Sequence, residues 1–427
     1  MDNGNRLIMR RVLQIAVIAD DITGAADTGV QFCPAVGPVH MAGAVEGDLS
    51  AAAVRTAGVA VFTNTRNTDA ATAAKIVRLA AEKIHCLKPR VIYKKIDSCL
   101  RGNLGAEIDT LLQATGAAAS FVAPAFPEQG RTTVNDCHLI HGVPVAETEI
   151  GRDPLCPVRE SRLSVRLTAQ SRMPVGHVDL ACIENGPVEL AERVRTLLNQ
   201  GCRHIAFDAE QPVHLDAVAG LTRDYFENIL LVGSAGLAGS LSRMMAQQLP
   251  CPVIADRPSI KKWLFVCGSA SRVLADQVAM LTRSTGWAHV AMDPSALTTG
   301  DGSLYREQLV AELVAAEASG SLILSIQPIL EAGPAANPNQ VVRGLAQVAA
   351  ALLTAVRPEG VFICGGDTAE AFWHQIGASA LLIREEILPG LMRGEFVGGP
   401  RNGLPVVTKA GAFGHADTLN QLINSLE

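Results

Sequence analysis

The strongest constraint on this chain is a repeated theme, in which a short apolar run meets a turn bearing Gly or Asp and then a helical pattern. Val12–Ala19 gives way to Asp20-Asp21-Ile22-Thr23-Gly24-Ala25 and a helix-like stretch. Gly58–Thr63 leads through Asn64-Thr65-Arg66-Asn67 into a helical run reaching Lys83. Arg90–Tyr93 runs into Lys94-Lys95-Ile96-Asp97-Ser98 and a helix towards Leu112, and Ala118–Ala123 stops at Pro124 and Pro127. The apolar runs are continuous rather than alternating. Strands covered on both faces read that way, and helices between them predict an α/β fold of mostly parallel sheets flanked by helices.

The theme lapses between Asp136 and Arg172, where prolines, charges and short polar pieces predict an excursion or flap. It resumes at His204–Phe207 and at Ile229–Val232, the latter ending in Gly233-Ser234-Ala235-Gly236. Pro250, Pro252 and Pro258 then mark a linker, and a second series begins. Trp263–Cys267 precedes Gly268-Ser269-Ala270-Ser271, Ser321–Ile326 follows, and Gly360–Cys364 precedes Gly365-Gly366-Asp367-Thr368. Leu404–Thr408 precedes Lys409-Ala410-Gly411-Ala412-Phe413-Gly414. The 427 residues, 48% of them hydrophobic, supply more than one core. The expected organisation is two domains, 1–255 and 256–427, with the active site in the interdomain cleft.

Charge and cysteine usage exclude several classes. Lys and Arg total 36 against 42 Asp and Glu, a formal charge of -6, which argues against a nucleic-acid surface. The 10 cysteines are scattered and form no CxxC pair, so neither a zinc ribbon nor thioredoxin-like chemistry is expected, and a reducing compartment is. Arg10-Arg11 before an apolar stretch mimics a signal peptide, but the stretch ends at Asp20-Asp21 without a small-residue cleavage site. No apolar run reaches transmembrane length. A soluble cytoplasmic protein without membrane or nucleic-acid partners is expected, with the true start codon, Met1 or Met9, and homo-oligomerisation left open.

In parallel sheets ligands gather at the carboxyl ends of strands, where the polar residues of this chain lie. Asp20 and Asp21 could hold a substrate hydroxyl, act as a base or help bind Mg²⁺, or one could cap the next helix. Lys94, Lys95, Asp97, Ser98 and Arg101 form a dense polar loop in which cations could clamp a carboxylate and Asp97 could take a proton from a hydroxyl. Arg66 is a second candidate carboxylate anchor. Pro127-Glu128-Gln129-Gly130-Arg131 could complete a pocket or be a rigid connector. In the second domain three glycine turns, at Gly268-Ser269, at Gly365-Gly366-Asp367-Thr368 and at Gly411, follow strands directly and suit nucleotide phosphates. No GxxxxGK[ST] loop occurs, no GxGxxG follows the first strand, and Gly233-Ser234 lacks GxSxG spacing. His138 and His141 read as loop histidines rather than metal ligands.

Five blocks together, Ala19–Ala25, Lys94–Asn103, Pro124–Arg131, Gly365–Thr368 and Thr408–Gly414, resemble the four-carbon acid sugar kinase family across nearly the whole chain and in the family's order. The resemblance implies an amino-terminal sugar-acid domain, a carboxyl-terminal nucleotide domain, and transfer of the γ-phosphate of ATP to a terminal hydroxyl. D-threonate, L-threonate, erythronate and 3-oxo-tetronate are the substrate types it implies, and Val143–Glu149 looks more like the D-threonate branch. By motif, Asp20, Asp21, Arg66, Lys94, Lys95, Asp97 and Ser98 would hold the acid. Ser269, Gly365, Gly366, Asp367, Thr368, Lys409, Ala410, Gly411 and Ala412 would contact ATP. Cys99 stands where Thr is common, and Ala410-Gly411-Ala412 replaces Ser-Gly-Gly. The expected mechanism has Arg66 and Lys95 on the carboxylate, Asp21 or Asp97 on the hydroxyl, and Mg²⁺ on the phosphates, with domain closure aligning them. Two other classes compete: an aldolase or dehydrogenase with a Schiff base on Lys94 or Lys95, which borohydride would trap, and a sugar-acid sensor without turnover.

Overall fold

A computed structural model of the chain describes residues 12–426, apart from 46, 48, 50–55, 154, 253–256, 258, 270, 298–301, 317–319, 328–336 and 412. The chain divides into two compact units, Met1–Val253 and Ile254–Glu427.

The amino-terminal unit contributes β1 (Ile15–Ala19), β2 (Val39–Gly43), β3 (Gly58–Phe62), β4 (Val91–Lys95) and β5 (Ala119–Ala123). Next come β6 (Arg131–Val134), β7 (Cys137–Ile140) and β8 (Val143–Pro144), then β9 (Val175–Val178), β10 (His204–Phe207) and β11 (Ile229–Gly233). The main sheet runs β2-β3-β1-β4-β11-β5-β10-β9 with every pair parallel. Strands β1, β3 and β5 are buried from end to end, as continuous apolar runs require. From β1 the chain moves to one side for β2 and β3, then crosses to β4 on the other. The order therefore reverses at β1, where a crevice opens at the carboxyl ends of the strands.

The excursion expected from Asp136 begins earlier, at Arg131, and is an ordered antiparallel sheet, β6-β7-β8. Asn135 and Asp136 turn the first hairpin with φ of 51° and 67°, a left-handed pair that Asn and Asp tolerate. The buried carboxylate of Asp208 accepts both of their backbone N–H groups, at 2.7 and 3.0 Å. At the opposite, amino end of the main sheet, His204 accepts or donates to Ser120 Oγ at 2.7 Å and Asp109 Oδ1 at 2.7 Å. This buried network ties the helix Leu104–Thr115 to the strands.

The carboxyl-terminal unit holds β12 (Trp263–Cys267), β13 (Ala288–Met292), β14 (Leu322–Ile326), β15 (Gly360–Cys364), β16 (Ala380–Leu388), β17 (Leu391–Val397) and β18 (Pro405–Lys409). Its order is β13-β14-β12-β15-β18-β17-β16. The first five strands are parallel, whereas β17 runs antiparallel to β18 and to β16. Here too the order reverses at the first strand, β12. Phe265 stacks on Phe362 at 4.7 Å in a core shared with Trp263 and Val407. Among the described residues no helix is long and apolar enough to cross a membrane.

Candidate active site

In the amino-terminal unit the switch point gathers the ends of β1, β3 and β4. Asp21 caps the helix Ile22–Val36, accepting from Gly24 N at 2.8 Å. A Cβ at Gly24 would meet the ends of two side chains, Asp21 Oδ1 at 2.6 Å and Lys95 Nζ at 2.8 Å, which would have to move aside. Arg66, arriving after β3, is held by three carboxylates. Its Nε and Nη2 reach the two oxygens of Asp20 at 2.7 and 3.1 Å, its Nη1 reaches Asp21 at 2.7 Å, and its Nη2 lies 3.7 Å from Asp97. Asp97, after β4, is gripped from the other side by Arg101, at 2.9 and 3.2 Å, and accepts from the backbone of Cys99 and Arg101.

These contacts make the three carboxylates unlike one another. For Asp20, burial pushes the carboxyl upward, but Arg66 and Lys95 together hold it below the ordinary value. For Asp97, burial is outweighed by Arg66 and Arg101, which drive it far below the carboxylate range. Asp21 goes the other way: burial raises it and the negative charge of Asp20 adds to the rise, against the pull of Arg66. Asp21 is therefore the best proton acceptor of the three. Asp97, expected beside it for the same task, faces two guanidiniums, of Arg66 and Arg101, where Asp21 meets only that of Arg66.

The two lysines part company. Both belong to β4 rather than to the loop expected after it, so they point to opposite faces. Lys95 Nζ approaches Gly24 and lies within the field of Asp20, Asp21 and Asp97, yet makes no hydrogen bond or ion pair among the described residues. Lys94 is fully buried, 2.6 Å from Glu107, and donates to the carbonyl of Lys95. Glu107 accepts from Thr65 as well, at 2.7 Å. Lys94 thus belongs to a buried polar layer beneath the site, with no side-chain surface open to a ligand. Ser98 turns its carbonyl to His138 Nε2 at 2.8 Å.

In the carboxyl-terminal unit the three glycine turns converge. A Cβ on Gly268 would collide with Thr368 Oγ1, and one on Gly411 with the Ser269 side chain. Gly365 has a φ of +110° and heads the helix Gly366–Gln375, while the Thr368 side chain is buried under the turn. Lys409 Nζ donates to the carbonyls of Ala410, Gly411 and Phe413 at 2.9–3.3 Å, so it shapes that loop from within. Ala412 lies outside the described residues.

Residues 15–241 match the family model of a sugar-binding N-terminal domain, and residues 264–419 that of a nucleotide-binding C-terminal domain. The D-threonate kinase of Bordetella bronchiseptica is 34% identical over 414 residues, covering 95% of each chain. The chain belongs to the four-carbon acid sugar kinase family. Other family members similar to it are the D-threonate kinase of Salmonella typhimurium, 32% identical over 97% of this chain and 99% of that one, and the D-erythronate kinase of Heliobacterium modesticaldum, 27% identical over 94% of each. Solved proteins from Salmonella typhimurium LT2 (TM-score 0.84, 22% identity, 96% of this chain and 99% of that one) and Haemophilus influenzae (TM-score 0.76, 20% identity, 96% and 100%) share the fold. The carboxylate cluster of this family member lies wholly inside the sugar-binding stretch, and the converging turns inside the nucleotide-binding stretch.

Several residues shape the site in ways that the sequence reading did not assign. Arg101, expected in the polar loop as a cation for a ligand carboxylate, is bound instead to Asp97, four positions before it. Asn103 donates to the carbonyls of Thr65 and Thr68 at 3.1 and 2.9 Å and so fixes the loop that carries Arg66. His138, expected as a loop histidine, is fully buried in β7 and bridges Thr133 and Ser98. Burial lowers its pKa to about 4, against the hydrogen bond to Ser98 that favours the charged ring. The unfolded chain therefore binds a proton near pH 6.5 that the folded one refuses until about pH 4. Stability should fall as pH drops through that window, by on the order of 3 kcal/mol in all. Melting temperature measured from pH 7 to pH 4 should fall less steeply in His138→Gln than in the wild-type protein; parallel slopes would exclude His138 as the cause.

Proposed function

We propose that this chain is an ATP-dependent kinase that phosphorylates the terminal hydroxyl of a four-carbon sugar acid, with D-threonate its preferred substrate. The observation that carries the reading is the site at the end of β1, β3 and β4, where Asp21, the carboxylate whose pKa is raised, and Lys95, buried and without an ion pair among the described residues, flank the helix N-terminus at Gly24. The names of the full-length relatives from Bordetella and Salmonella support the choice of D-threonate.

In this reading the Lys95 ammonium receives the substrate carboxylate. Arg66, fully engaged by Asp20, Asp21 and Asp97, holds the aspartates in place instead of gripping the acid. Asp21 accepts the proton of the attacking hydroxyl, and Asp20 and Asp97 stay ionised to keep Arg66 in position. The turns at Ser269, Gly365–Thr368 and Gly411 cradle the phosphates with backbone N–H groups and a helix N-terminus. Asp367, exposed in the first turn of that helix and without a partner among the described residues, is the carboxylate that fits a Mg²⁺ carried on the phosphates. Bound there, the ion would neutralise phosphate charge as the transferred group moves.

The deciding experiment is ADP release with Mg-ATP against D-threonate, L-threonate, D-erythronate and 3-oxo-tetronate. Turnover highest on D-threonate is expected. Turnover confined to another acid would move the substrate assignment within the family, and none on any acid by a folded, ATP-binding protein would overturn the acceptor class. Gly366→Trp should raise the Kd for ATP by about tenfold or more, since it closes the approach to the helix N-terminus. An unchanged Kd would remove that turn from the phosphate site.

A further inference from the structure

We infer that Asn103 is a positioning residue for the phosphoryl transfer: it pins both ends of the turn that carries Arg66 and so keeps the guanidinium on Asp20 and Asp21. This rests on the reading of Asp21 as the base and adds a residue, outside the carboxylate cluster, that governs how the base is held.

Asn103 occupies the N-cap position of the helix Leu104–Thr115, where an Asn side chain ordinarily accepts from the backbone of the first turn. Here it makes no such bond. The first turn is served from outside by Gln170, whose Oε1 accepts from Gly105 N at 3.1 Å while its Nε2 donates to the Gly102 carbonyl at 3.2 Å. The Asn103 amide can therefore reach out of its own helix. Its Nδ2 donates to the carbonyls of Thr65 at 3.1 Å and Thr68 at 2.9 Å, the two ends of the turn around Arg66. An aspartate would cap the helix equally well but, ionised, could donate neither bond.

Glu107 lies one turn further along the same helix face and accepts from the Thr65 hydroxyl at 2.7 Å, so one helix grips Thr65 by both carbonyl and side chain. From the other direction Thr65 N donates to the Asp20 carbonyl at 2.9 Å. Arg66 follows directly. Asp20 holds its guanidinium through two bonds and Asp21 through one, so a turn released at Thr65 and Thr68 would give up Asp21 first. Burial raises the Asp21 carboxyl; among the charges that face it Arg66 pulls it down most, Asp20 adds to the rise, and Lys95 opposes it. Asp97 lies on the far side of Arg66, at 3.7 Å. With Arg66 displaced, Asp21 would take its proton at a higher pH. A residue with a structural role alone would lower the folded fraction and leave that pH where it is.

The test is the pH profile of kcat with D-threonate and Mg-ATP for the full chain, Asn103→Ser, Asp21→Asn and the double variant, with melting temperatures read alongside. Ser is a favoured N-cap and leaves Gln170 on Gly105, so Asn103→Ser should fold. Its single hydroxyl proton cannot serve both carbonyls. The acid limb of Asn103→Ser should move up by about one pH unit, about a tenfold loss of kcat on the limb, while KM for ATP stays within about twofold of wild type. In the Asp21→Asn background the same change should alter kcat by less than about twofold, because effects that act through one residue do not add. A limb that stays in place, or an equal loss in both backgrounds, would overturn the positioning role and leave Asn103 a structural tie. An acid limb that persists in Asp21→Asn would bring down the reading of Asp21 as the base, and this inference with it.

Discussion

Asp21→Asn should lower kcat with the preferred acid by about 100- to 10,000-fold, the range that a positioned general base contributes. The variant is well suited to isolate that role. Asn is as good a helix N-cap as Asp, so the bond from Gly24 N survives. Arg66 keeps the bidentate grip of Asp20 and its neighbour Asp97, so the guanidinium is not left unpaired. What disappears is the one carboxylate of the cluster whose pKa is raised. In the wild-type protein kcat should fall on acidification as Asp21 takes up its proton, and because burial and Asp20 raise its pKa, that limb should lie above the ordinary aspartate value. The variant should lose both the rate and the acid limb. Turnover within about threefold of wild type would remove Asp21 as the base. Asp97→Asn should behave differently: it loosens the grip of Arg101 and Arg66, so melting temperature and KM should move along with kcat.

The largest effect on stability is expected from Lys94→Met. Lys94 and Glu107 form an ion pair with almost no solvent exposure, and its removal from one side leaves a buried carboxylate with Thr65 as its remaining partner. Breaking such a pair costs about 3–5 kcal/mol, whereas replacing both members with apolar groups of similar volume is often neutral. Lys94→Met should therefore lower the melting temperature of the amino-terminal unit by roughly 10 °C, and Lys94→Met with Glu107→Leu should recover most of it. If the double variant melts no higher than the single one, the pair is not the source of the loss. A ligand contact at Lys94 would instead show as a change in KM with the melting temperature left alone.

That contrast shows where sequence reading succeeds and stops. Asp20, Asp21, Arg66 and Asp97 are scattered over 78 positions, yet each follows an apolar strand, and parallel strands bring their carboxyl ends together. The glycine turns after β12, β15 and β18 converge for the same reason. The lysines were misplaced because an apolar run seems to end at its first charge. Strand β4 continues through both, since Glu107 on the neighbouring helix neutralises Lys94 in the interior. Nothing local to Lys94 reveals a partner 13 residues away. Strands β16 and β17 also escaped notice. They carry Arg384 with Glu395 and Arg393 with Glu385, cross-strand pairs that interrupt the apolar signal, and they form the antiparallel part of a mostly parallel sheet. The region from Asp136 read as irregular because its strands are only two to four residues long.

The Ser120–His204–Asp109 network at the amino ends of the strands joins the residue types of a serine hydrolase at hydrogen-bond distances. Ser120 and His204 have no exposed surface, and the imidazole is reversed, with Nδ1 on the serine and Nε2 on the aspartate. An acyl group has no way to approach the hydroxyl, and no leaving group has a way out. The same bonds that would activate a nucleophile in a cleft serve here as a cross-brace, so solvent access decides whether this arrangement is chemistry or carpentry.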